Sequence, residues 1–140
     1  MFFTSSGILR YSQGAPYRLT VEIDHDLGSY YRALMPKHLR IAPGRYPTHI
    51  TVVRVGKDDP KNLEHWGKYE GEKVEFLYEP RVVHGKTYYW LRVLSKRLEE
   101  IRLELGLGLE RSKTPSDASY EDPPPGYAKF FHITIANNKV

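Results

Sequence analysis

The chain is predicted to fold as a single α+β domain over residues 1–140. Three observations carry that expectation. Short β-branched or alternating runs recur along the chain, two segments carry apolar residues at helical spacing, and no linker of biased composition divides it. At 140 residues the chain is long enough to bury a sizeable core in one domain.

In chain order, Gly7 to Tyr11 and Tyr17 to Ile23 read as two strands joined by the turn-rich Ser12-Gln13-Gly14-Ala15-Pro16. In the second, Leu19, Val21 and Ile23 share one face while Thr20 and Glu22 share the other. Asp24 or Asp26 is placed to cap a helix whose stripe is Leu27, Tyr30, Tyr31 and Leu34, and Pro36 limits its extent. Ile41 to Pro47 is a loop that delivers the chain to His49-Ile50-Thr51-Val52, a strand by its β-branched content. Gly56 to Gly71 is polar and turn-rich, with Leu63 and Trp66 as anchors. Lys73 to Val83 and Lys86 to Leu94 form a hairpin closing at His84-Gly85, and Pro80 requires an edge position or a bulge in its first strand. Ser95 caps a second helix with the stripe Leu94, Leu98, Ile101 and Leu105 and the stop Gly106; its Lys96, Arg97, Glu99, Arg102 and Glu104 read as a solvated face. Residues 110–126 form a long low-complexity loop, either a lid or an excursion, and lead into the final strand, Lys129 to Asn137.

The composition limits the functional classes. With no cysteine there are neither disulfides nor thiolate metal sites. No apolar run approaches the ~20 residues needed to cross a bilayer, and Met1-Phe2-Phe3-Thr4 lacks the basic flank of a signal peptide, so a cytoplasmic protein is expected. The formal net charge of +4 favours encounter with phosphate-bearing ligands. No block of lysine and arginine marks a duplex binder.

The chemistry is concentrated in a motif that occurs twice, His49-Ile50-Thr51-Val52 and His132-Ile133-Thr134-Ile135. Residues two apart in a strand share a face, so each copy presents an imidazole and a hydroxyl together, backed by apolar residues. A phosphodiester is cleaved by removing a proton from the attacking oxygen, giving one to the leaving oxygen and stabilising the charge between them. Histidine serves the two proton transfers near neutrality, and threonine hydroxyls donate to the phosphate oxygens. Zinc would need three or four protein ligands, and neither motif has a cysteine or an acidic residue at ligand spacing, so no metal is expected. His25, His38, His65 and His84 lack the motif context.

The paired His-x-Thr-x motifs resemble those of the 2H phosphoesterase superfamily. Tyr30-Tyr31-Arg32, Tyr46 to Arg54, Trp90 to Val93 and Leu98 to Leu107 are similar to its "Swiss army knife" RNA-repair-like branch of phages and bacteria. The resemblance implies a bilobal fold, with two pseudo-symmetric antiparallel-sheet lobes and flanking helices presenting one motif each across a central cleft. It also implies metal- and cofactor-independent cleavage of RNA ends or small nucleotides (2′,3′-cyclic phosphates or 2′–5′ linkages), with His49, Thr51, His132 and Thr134 catalytic. Degradation of cyclic oligonucleotide immune messengers, as in phage anti-CBASS nucleases, is the alternative within the class. A non-catalytic RNA- or nucleotide-binding module is the alternative outside it. No membrane association or obligate protein partner is implied. For substrate binding, Tyr46 and Tyr11 are stacking candidates, as are Trp66, Tyr88 and Trp90, although strand aromatics also serve cores. Arg54 and Lys129 flank the motif strands and are candidates to meet phosphate, with ordinary surface charge the competing role.

Overall fold

The computed structural model describes residues 1–110 and 121–139. Seven strands and two helices follow in the order β1 (Phe3–Tyr11), β2 (Leu19–Glu22), α1 (His25–Ala33), β3 (His49–Val53), β4 (Lys73–Tyr78), β5 (Val83–His84), β6 (Tyr88–Leu94), α2 (Lys96–Glu104) and β7 (Phe131–Asn137). A single 3₁₀ turn, Leu63–His65, lies between β3 and β4.

The strands form one antiparallel sheet in the order β4-β1-β2-β3-β7-β6-β5, and β4 also pairs with β6 through Leu77–Leu94 and Tyr78–Val93. That pairing closes six strands into a barrel, with β5 as an appendage on β6. The expected bilobal architecture is therefore incorrect. Two lobes would require each half of the chain to keep its own sheet. Here β3, from the first half, is bonded to β7 at the end of the chain, and β1 is bonded to β4. Closure also removes the exposed sheet edges that two small lobes would each have to cover.

Alternation along each strand separates the inside from the outside. Leu9, Val21, Ile50, Ile133 and Leu91 form one continuous cross-strand row and are all fully buried. Leu19, Val52, Val74, Phe76, Val93, Phe131 and Ile135 complete the buried apolar interior. Register shifts at Leu19/Thr20 and at Tyr89/Trp90 mark two bulges, which sharpen the bend of the wall next to the motif strands.

Local signals set the helices as expected. The Asp24 side chain accepts from the Asp26 amide at 2.9 Å at the start of α1, and Ser95 Oγ accepts from the Leu98 amide at 3.2 Å at the start of α2. Gly106 ends α2 at φ +77°, and the Leu107 amide returns to the Arg102 carbonyl at 2.9 Å. Two details differ from expectation. Tyr30 and Leu34 are exposed, so the buried side of α1 rests on Tyr31 and Gly28. A Cβ at Gly28 would lie 2.8 Å from Thr48 Oγ1, so only glycine lets α1 come this close to the residue preceding His49. On α2, Glu99 and Arg102 are buried, not solvated. β4 ends two residues before Pro80, and the chain resumes pairing only at Val83, as the proline requires. Of the long loop expected over residues 110–126, residues 111–120 lie outside the described residues.

Candidate functional site

The two motif strands are immediate neighbours. Ile50 pairs with Ile133 across β3 and β7, and antiparallel counting from that pair sets His49 beside Thr134 and Thr51 beside His132. The apolar members point into the barrel, so all four motif side chains stand on its outer wall as a quadrilateral, histidines on one diagonal and threonines on the other. Diagonal partners on adjacent antiparallel strands are separated by about 7–8 Å. Facing motifs across a cleft between lobes were expected. Instead, one continuous wall carries both, because the strands that bear them hydrogen-bond to each other.

The wall extends the quadrilateral on both sides. One row runs Arg10, Thr20, Thr51, His132, Arg92, and the next runs Glu22, His49, Thr134, Trp90. Two cavities open along it. The larger, about 460 Å³, is lined by Thr51, His132 and Thr134 together with Trp90, Arg54 and Lys129. The smaller, about 280 Å³, is lined by His49, Tyr46, Arg18, Tyr11, Thr20 and Glu22. The divide between them crosses β3 obliquely: Thr51 belongs to one cavity and His49, two residues before it, to the other.

His49 Nδ1 lies 2.7 Å from the Pro47 carbonyl. A carbonyl only accepts, so Nδ1 carries a proton and Nε2 is the nitrogen left to exchange protons with a ligand. His132 is half-buried, its ring 5.3 Å from that of Trp90. Thr134 is exposed, and Thr51 is half-buried.

The remaining candidates divide between the cavities. Tyr46 is 56% exposed and lies under the Arg18 guanidinium, 4.6 Å from ring centroid to Cζ. Tyr11 packs edge-on against Trp66 at 5.1 Å, and burial pushes its phenol up to about 12, so it acts chiefly as cavity wall. Trp66 donates to the Ser12 carbonyl and also packs on Tyr17, which makes it structural. Tyr88 lines neither cavity and lies beneath Lys139. Arg54 and Lys129 both line the larger cavity. Lys129 is half-buried, and its ammonium reaches the Glu110 carbonyl at 3.2 Å. Burial first, then the nearby charges of Arg102 and Arg54, push it down to about 8 against the opposing pull of Asp58.

Sequence reading missed three cations of this wall. Arg92 is 3% exposed, donates to Glu121 at 2.9 Å and lies over the Phe130 ring. Its signal was its place in Trp90-Leu91-Arg92-Val93, where alternation puts it on the face of Trp90. Arg18 lies two residues before Thr20 in the expected strand Tyr17 to Ile23, so alternation puts it on the face of Thr20 and Glu22, but nothing local sets it apart from an ordinary surface charge. Arg102 was assigned to a solvated helix face. It instead donates to the Val52 carbonyl at 2.7 Å, to the Gly108 carbonyl at 2.8 Å and to Asp58 at 3.2 Å, fixing α2 against the end of β3.

Among the described residues, no three of His, Cys, Asp or Glu gather as a metal-binding group, and no helix is long and apolar enough to cross a membrane. Comparison with known proteins finds no matching family model, curated protein or solved structure.

Proposed function

We propose that the protein is a metal-independent phosphoesterase that acts on RNA ends or small nucleotides by two-histidine acid–base catalysis. The observation that carries this reading is the pairing of β3 with β7, which brings two sequence-distant His-x-Thr motifs into one quadrilateral. A phosphate centred on it meets His49 Nε2 from one side and the His132 imidazole from the other. The Thr51 and Thr134 hydroxyls lie on the crossing diagonal and donate to the non-bridging oxygens as charge develops. One imidazole takes the proton of the attacking hydroxyl or water and the other protonates the leaving oxygen. Arg54, Arg92, Arg102 and Lys129 in the larger cavity outnumber its carboxylates Glu110, Glu121 and Asp122 by one, a modest balance in favour of an anionic ligand.

One observation favours a second reading, a nucleotide-binding module without turnover. His49 and His132 open into different cavities, an arrangement that also suits a ligand lying across the wall with no reaction between them. A panel of 2′,3′-cyclic nucleotides, 2′–5′ and 3′–5′ dinucleotides and cyclic dinucleotides, incubated with purified protein in excess chelator, separates the two. Cleavage of at least one member is expected, undiminished by EDTA. Saturable binding of the same ligands with no product would establish the binding module, and turnover dependent on one added metal would place the chemistry elsewhere.

A further inference from the structure

Most single-phosphate sites need one pocket for one nucleoside. Here the quadrilateral lies on the divide between two cavities, and each contains the same pair of elements: a motif histidine and an aromatic ring. The larger has His132 with Trp90, and the smaller has His49 with Tyr46, whose ring is held beneath Arg18. We infer that the substrate is an internal linkage between two nucleosides, with the scissile phosphate on the divide and one base in each cavity. The inference rests on the two-histidine reading of the site and narrows it.

Size and exposure support the assignment. A cavity of about 280 Å³ is room for a base and part of its sugar, and one of about 460 Å³ holds a nucleoside. Tyr46 is more than half exposed although its ring is backed by a cation, so its second face is presented to the cavity at no cost to the core. A mononucleoside 2′,3′-cyclic phosphate would fill one cavity and leave the other aromatic without a partner. With an internal linkage, both bases contribute binding that holds the phosphorus between the imidazoles. In the reaction the oxygen of the attacking water or neighbouring hydroxyl bonds to phosphorus as the bond between phosphorus and the leaving ribose oxygen breaks. His49 or His132 delivers a proton to that oxygen while the other takes one from the attacking water or neighbouring hydroxyl.

The test compares 2′–5′- and 3′–5′-linked diadenosine monophosphates with adenosine 2′,3′-cyclic phosphate, using the intact chain and its Tyr46→Ala and Tyr46→Phe variants. Stacking of the second base predicts a kcat/KM for at least one dinucleoside about 5–150-fold above that for the cyclic mononucleotide. Tyr46→Ala is expected to remove most of that advantage through KM, and Tyr46→Phe to retain it. Equal efficiency on the cyclic mononucleotide, or a dinucleoside rate indifferent to Tyr46→Ala, overturns the inference while leaving the two-histidine reading intact. Failure to cut any of the three overturns both.

Discussion

Lys129 keeps its ammonium charge against its surroundings, since burial and the guanidiniums of Arg102 and Arg54 all favour the neutral amine. Two consequences follow from a folded-state value of about 8 set against the ordinary lysine value of 10.5. Below about 8 the charged group carries its full cost in the fold; as pH rises from there toward the ordinary value, the unfolded chain holds more protons and that cost is relieved. Anion binding runs the opposite way. Sulfate, whose own charge is constant in this range, should bind more weakly as pH rises through about 8, and titration calorimetry should find that step absent in Lys129→Met. Tyr11 poses a different question. Its hydroxyl oxygen is buried, with the Tyr69 backbone beside it in a contact that falls short of a well-formed hydrogen bond. Tyr11→Phe should therefore change thermal stability little, because a poorly made hydrogen bond hardly exceeds the cost of burying the hydroxyl; a clear fall in Tm would show that the Tyr69 contact is a full bond. At this scale the motif residues were legible in the sequence, since an imidazole and a hydroxyl two apart in a β-branched run share a face in any strand. Arg18 and Arg102 were not, because their roles depend on elements far away in the chain.

Among the elements, α2 shows most plainly how such a role arises. Its stripe and its Ser95 cap were readable from helical spacing, yet the charged residues between them are not all solvated. Arg102 is 6% exposed and joins α2 to the Val52 carbonyl at the end of β3 and to Asp58 in the following turn. Burial works to raise the Asp58 carboxyl, but hydrogen bonds from Arg102 and the Arg54 amide outweigh it and hold the group below the ordinary carboxylate range. The stability it contributes is present above that range and is lost as pH falls through its depressed value. Arg102→Met leaves the partly buried Asp58 with only the Arg54 amide at 2.8 Å and the Arg54 guanidinium at 3.8 Å, and should cost about 2–3 kcal/mol near neutrality by denaturant unfolding, less than the loss of a sole partner. The cost should shrink in acid, where Asp58 is protonated and the wild-type pair is lost as well. An equal cost at both pH values would show that Arg102 acts through packing alone. β3 and its site thus depend on a helix whose sequence suggested no such link.

The barrel as a whole turns separate strands into a site. Most strands were legible to within a few residues, but β1 begins four residues before the expected Gly7, β5 includes His84 where a turn was expected, and Pro80 ends pairing where an edge position or bulge was expected. The order of the strands was not readable. Period-2 patterning specifies which face is buried and says nothing about which strand lies alongside. A two-lobed arrangement and a closed barrel use the same inward rows; the pairings β3–β7 and β1–β4, between segments far apart in sequence, decide between them. Those pairings make folding depend on non-local contacts, which is slow for a chain of this size. They also make the site a property of the closed barrel, since neither motif is complete without the strand beside it.

Steady-state turnover of His49→Ala, His132→Ala and the double variant, on whichever phosphodiester the wild type cuts best, measures this dependence directly. Each single change should lower kcat by about 10²–10⁴-fold, the contribution of a positioned acid or base. The double variant should lose little more than the worse single one, because the two imidazoles serve one reaction as a unit. Both side chains stand on the outer wall, so the circular dichroism spectrum and Tm should stay close to wild type. Wild-type turnover in either single variant would contradict the proposal that β3 and β7 carry one catalytic site.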